Sequence, residues 1–123
     1  MNPRLWIFLG CVWAALGVVL GAFGAHGLKD TLTPEQLANW DTAVRYQLVH
    51  ALALIAFGLF SERTRGKDYP ALLFLLGSLF FSGSIYALCF EFWKGLMGPV
   101  TPLGGLLLIL GWLGFAREAL RRR

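Results

Sequence analysis

Four long apolar stretches separated by short polar ones organise this chain of 123 residues. They run over about 5–25, 42–60, 70–90 and 102–119, each close to the roughly 20 apolar residues a helix needs to cross a hydrocarbon layer. The pattern predicts an all-α protein: one integral membrane domain over 1–123, built as a four-helix transmembrane bundle. Arg117 and Glu118 cut the fourth stretch short, but such side chains reach the interface by snorkelling.

The polar stretches hold the start and stop signals. Thr33, Pro34 and Gln36 supply the N-cap, the first-turn proline and the return partner of a capping box. The second helix is therefore expected to begin near Pro34, outside the hydrocarbon. From there it either runs through Trp40 into the span or breaks near Asp41 and Thr42; Asp41 and Arg45, four residues apart, support helix when exposed. A charged turn over 61–69 leads into a third helix starting near Pro70. Gly98-Pro99-Val100-Thr101-Pro102 reads as a rigid turn, with Thr101 capping and Pro102 opening the fourth helix.

Composition fits the same picture. At 57% hydrophobic and 15% charged residues, the chain is too apolar for an ordinary soluble domain. Its net charge of +4 would suit nucleic acid, but the distribution excludes that reading. Eight basic residues (Arg4, Arg63, Arg65, Lys67, Arg117 and 121–123) fall at alternate helix ends and three (Lys29, Arg45, Lys94) at the others. By the positive-inside rule, both termini and the 63–67 loop are expected to be cytoplasmic, and the 28–41 and 91–101 connections to face out. The first stretch resembles a signal peptide in Arg4 and in the small residues near Ala22 and Gly24. It is longer than a usual signal core and further spans follow, so it is read as a helix. Cys11 and Cys89 are placed near opposite faces and are not expected to pair, and no C-x-x-C pattern points to zinc or redox chemistry.

Small residues mark one face of the first helix. Gly10, Ala14, Gly17, Gly21 and Ala25 are spaced four, three, four and four apart, a stripe that lets another helix approach closely. The neighbour is either internal or a second subunit.

The candidate chemistry lies in two histidines, His26 and His50, the only ones in the chain. Each sits in a segment apolar enough to enter a bilayer, where an ionisable group is costly and marks a candidate functional site. Tyr46 and His50 share one face a turn apart, as do Ser78, Ser82 and Tyr86. Counting depth from the helix ends at about 1.5 Å per residue puts His50 and Ser82 near mid-membrane. His26, Arg45, Tyr46 and Tyr86 lie nearer the outer face. The expectation is an outward-opening polar pocket with its mouth at His26 and its floor at His50 and Ser82, to which Gln47 also contributes.

The residues around these positions resemble a known family. Gly21-Ala22-Phe23-Gly24-Ala25-His26-Gly27-Leu28, Thr42-Ala43-Val44-Arg45-Tyr46-Gln47 leading to His50-Ala51-Leu52, Phe81-Ser82-Gly83-Ser84-Ile85-Tyr86 and Thr101-Pro102-Leu103-Gly104-Gly105 are similar to the small membrane proteins called domain of unknown function 423. The eukaryotic members of that family are called transmembrane protein 256. The resemblance covers nearly the whole chain and implies a compact four-helix membrane protein, in bacteria of the inner membrane, with no established activity.

Several readings follow. In the first, the chain is a structural or accessory membrane component whose polar residues fix helix order, alone, as a homo-oligomer or in a larger membrane complex. In the second, it is an oligomeric transporter or channel for a small solute, ion or proton, with His50 as a titrating group. A third keeps haem or a metal ion at His26 and His50 open, although the expected difference in depth disfavours bis-histidine haem and zinc wants three or four ligands. No cofactor is expected. No nucleophile–base spacing, phosphate loop or H-E-x-x-H pattern points to an enzyme.

Overall fold

The computed structural model describes residues 2–64 and 67–121. Arg65, Arg122 and Arg123, part of the charge bias above, lie outside the described residues. Four helices follow in order: α1 (Pro3–His26), α2 (Pro34–Thr64), α3 (Tyr69–Cys89) and α4 (Lys94–Arg121). All four are long and apolar enough to cross a membrane. Large hydrophobic side chains such as Phe8, Val18, Leu52, Ile109 and Leu113 are exposed on the outside of the bundle, where lipid is the natural neighbour.

Local chemistry sets the ends. Asn2 caps α1 by accepting from the Arg4 N–H at 3.0 Å, with Pro3 in the first turn. The capping box of α2 forms as expected: Gln36 N–H reaches Thr33 Oγ1 at 3.1 Å and Thr33 N–H reaches Gln36 Oε1 at 2.9 Å. From that cap α2 runs unbroken to Thr64. Asp41 and Arg45 pair on its surface at 2.7 Å, so the polar residues that suggested a break support the helix instead.

The fourth helix departs from expectation. It begins at Lys94 rather than Pro102 and carries Pro99 and Pro102 inside it. Each proline removes one backbone donor, but Gly95, Gly98 and Pro99 are exposed near its start, so the affected carbonyls are not sealed in a core. The reversal from α3 is made instead at residues 90–93, where Glu91 (φ 58°) and Trp93 (φ 48°) adopt the left-handed region, unusual for residues with a Cβ.

Consecutive helices pack as antiparallel neighbours, α1 on α2, α2 on α3 and α3 on α4. Glycine sets the two outer pairings. A Cβ at Gly10 would lie 2.8 Å from the Ala51 carbonyl oxygen, and one at Gly104 would overlap the Phe81 backbone. Gly17 faces Leu48, Gly21 faces Val44 and Gly24 faces Trp40; across the other pair, Gly77 faces Leu108 and Gly111 faces Phe74. The close face of α1 therefore continues through Gly24, which is buried, while Ala25 is exposed and Ala14 half-buried. The partner of the glycine face is internal: it is α2.

Two apolar clusters fill the bundle. One, toward the chain termini, centres on Trp6, Leu54, Phe57 and Phe74. The other, toward the α1–α2 and α3–α4 connections (the hairpin end), centres on Leu28, Leu32, Trp40, Val44 and Cys89.

Candidate functional site: a closed polar belt and an open cavity

Between the two apolar clusters runs a belt of polar side chains. Gln47 is its hub, fully buried on α2. Its Nε2 donates to the Trp13 carbonyl of α1 at 3.0 Å, and its Oε1 accepts from the Tyr86 hydroxyl of α3 at 2.6 Å. One amide thus joins three helices. Ser82 donates to the Ala43 carbonyl at 2.7 Å, and the Trp13 indole N–H donates to Ser78 Oγ. These groups meet because Ala43, Gln47 and His50 follow each other at four and three residues on α2, as do Ser78, Ser82 and Tyr86 at four and four on α3, each set lying on one helix face.

His50 occupies the α4 side of the belt and is 4% exposed. The Trp112 indole N–H donates to His50 Nε2 at 3.0 Å. An indole nitrogen can only donate, so Nε2 accepts, and the ring proton sits on Nδ1, which lies 2.7 Å from the Tyr46 carbonyl. The imidazole is held as one neutral tautomer with both nitrogens in use. Its faces are lined by rings: Tyr46, Phe74 and Trp112 lie with centroids 6.0, 6.0 and 5.8 Å away.

The belt gathers five of the predicted residues: Tyr46 (itself half exposed beside His50), Gln47, His50, Ser82 and Tyr86. It leaves out two. Arg45 is exposed and paired with Asp41, and His26 is exposed at the end of α1. Because Gly24 faces Trp40, His26 is level with about residue 39 of α2, eleven residues from His50, or about 16 Å along the helix axis. The two histidines do not share a site. Ser82 is likewise not level with His50: it closes on Ala43, seven residues and about 10 Å away. Three participants were not among the predicted pocket residues, Trp13, Ser78 and Trp112. Ser78 could have been found from its spacing to Ser82. The tryptophans read as apolar, yet an indole N–H within a span needs an acceptor.

The hairpin end is different. Between the last turns of α1 and the first of α2 lies a cavity of about 310 Å³ with Gly21, Gly24, Trp40 and Val44 in its wall and Lys29 and Asp41 among its lining. A second, of about 280 Å³, is lined by Gln36, Asn39, Thr42, Cys89 and Thr101 with Ile85 and Leu88. At the opposite end Glu118 is fully buried with Arg117 and Arg121 at 3.5 and 3.7 Å. Among the described residues no group of three or more His, Cys, Asp or Glu side chains is placed to hold a metal ion.

Four apolar antiparallel helices around a buried polar belt define a small polytopic membrane protein. The family of proteins of unknown function called DUF423 matches over residues 20–105, and the chain belongs to it. It is similar to the UPF0382 membrane protein SH2409 of Staphylococcus haemolyticus, at 42% identity over 89% of this chain and 90% of the relative. It is also similar to the UPF0382 membrane protein YwdK of Bacillus subtilis, at 36% identity over 89% and 91%. A UPF0382 membrane protein of Schizosaccharomyces pombe, C1782.12c, is 39% identical over 79% of this chain and 86% of its own. No solved structure matches.

Proposed function

We propose that this protein is a structural or accessory component of the membrane, a rigid four-helix element whose polar side chains fix helix order. One observation supports the reading above the others: both nitrogens of His50 are committed inside the protein, to Trp112 and to the Tyr46 carbonyl. A titrating relay or a metal ligand needs a ring nitrogen that is free to change partners. Gln47, Ser82 and Tyr86 are bonded in the same closed way, which gives the transporter or channel alternative less support. The axial separation of His26 from His50 also speaks against haem or a metal ion bridging them.

In the same proposal the protein sits in the bacterial inner membrane, with both termini cytoplasmic and the hairpin end outward. Its partners are the bilayer and either further copies or a larger membrane complex, not nucleic acid. The test pairs two measurements on His50→Ala. Proteoliposome flux equal to wild type, with clearly lower thermal stability, is the expected result; lost flux with unchanged stability contradicts the reading. Co-purification from native membranes then identifies what the element supports.

A further inference from the structure

The cavity between α1 and α2 at the hairpin end is not part of the polar belt, and its lining has the composition of an amphipath site. Its volume of about 310 Å³ lies at the lower end of the roughly 300–1,000 Å³ range of small-molecule pockets. The inner wall is apolar and fixed. Gly21 and Gly24 line it without side chains, and the Trp40 indole is locked by donating to the Leu20 carbonyl at 2.8 Å.

The mouth is charged. Asp41 is already matched by Arg45 at 2.7 Å, whereas Lys29 has no partner among the described residues. Among those residues, the one lining charge without an ion pair is therefore that of Lys29. Depth adds to this. Helix α1 has 24 residues, a length of about 36 Å against a hydrocarbon core of about 30 Å, so the turn after it carries Lys29 to headgroup level. Below the cavity, Val18 on α1 and Leu52 on α2 are each 63% exposed and offer apolar surface on the same two helices.

We propose that this cavity binds a phospholipid of net negative charge, with the headgroup phosphate at Lys29, the glycerol region against Gly21, Gly24 and Trp40, and one acyl chain along Val18 and Leu52. The unpaired lysine selects the headgroup: a lysine near the membrane surface contributes about fivefold in affinity for an anionic lipid, and a zwitterionic lipid, whose phosphate is balanced by its own cation, gains less from it.

The full-length protein, purified in neutral detergent, is titrated with phosphatidylglycerol, phosphatidylcholine or inorganic phosphate while bound lipid is counted by native mass spectrometry. The expected result is a preference of about fivefold for phosphatidylglycerol over phosphatidylcholine, lost in Lys29→Gln. Lys29 is exposed, so that variant keeps the fold. Ala25→Trp, at an exposed position lining the cavity, is expected to lower retention of both lipids by filling the space. Equal retention of the two lipids by the wild type overturns the proposal, as does a preference that survives Lys29→Gln, or retention unchanged by Ala25→Trp. Competition by inorganic phosphate alone, at the same site and without lipid, assigns a soluble anion instead and also overturns it.

Discussion

His50 and Lys29 are both polar side chains set against apolar helices, and the bundle treats them in opposite ways. His50 is enclosed by three aromatic rings, with one nitrogen donating and the other accepting. Lys29 stands at the rim of a cavity with its charge unmatched by the described residues, beside an Asp41 that Arg45 has already matched. A polar group whose bonds are all made inside the protein holds helices in place. One whose bonding capacity points outward is available to a ligand. The lesson is that depth in the apolar region does not by itself mark function; the unspent bonding capacity of the group does.

That contrast can be broken by substitution. The largest effect belongs to the belt. His50→Ala leaves a void beside Phe74 and an unpaired Trp112 donor, and is expected to cost about 3 kcal/mol, read by reversible unfolding in mixed micelles. A cost below 1 kcal/mol removes the belt from the stability of the fold. Tyr86→Phe keeps the ring packed on Trp40 and deletes only the bond to Gln47. Interhelical hydrogen bonds in membranes average about 0.6 kcal/mol with a maximum near 1.7, so a loss of about 1 kcal/mol is expected in the same assay. Trp112→Phe is the partner test: in a double-mutant cycle its effect and that of His50→Ala should couple by about 1 kcal/mol, and strict additivity contradicts the bond between them. The smallest effect belongs to the cavity rim, where Lys29→Gln should change stability by less than about 0.5 kcal/mol while altering lipid retention.

Much of the fold was legible because membrane spans announce themselves by length. The Thr33–Gln36 capping box was readable residue by residue, and it does start α2. The start of α4 was not readable, since Gly98-Pro99 and Pro102 are turn signals in water-exposed chain, whereas here the prolines lie within the helix near its exposed beginning. Depth was the weaker part of the site reading. Helix α2 runs on to Thr64, past the apolar run that ends near residue 60, so counting from the ends of apolar runs set Ser82 level with His50 and grouped His26 in one pocket with them. Antiparallel register, visible only once Gly24 is seen against Trp40, separates these residues. The face shared by Tyr46 and His50, and that shared by Ser82 and Tyr86, followed from helical spacing alone. Their partners Trp13 and Trp112 did not, because hydropathy hides the one polar atom an indole carries.

The most direct test of the closed belt is the tautomer of His50 itself. Nitrogen-15 NMR of the labelled protein in lipid at pH 7 should show His50 as a neutral ring protonated at Nδ1, with Nε2 unprotonated and accepting from the Trp112 indole. An Nε2-protonated ring, or an imidazolium, would contradict the account, because neither can accept from Trp112 and a nitrogen of His50 would then be free for other chemistry.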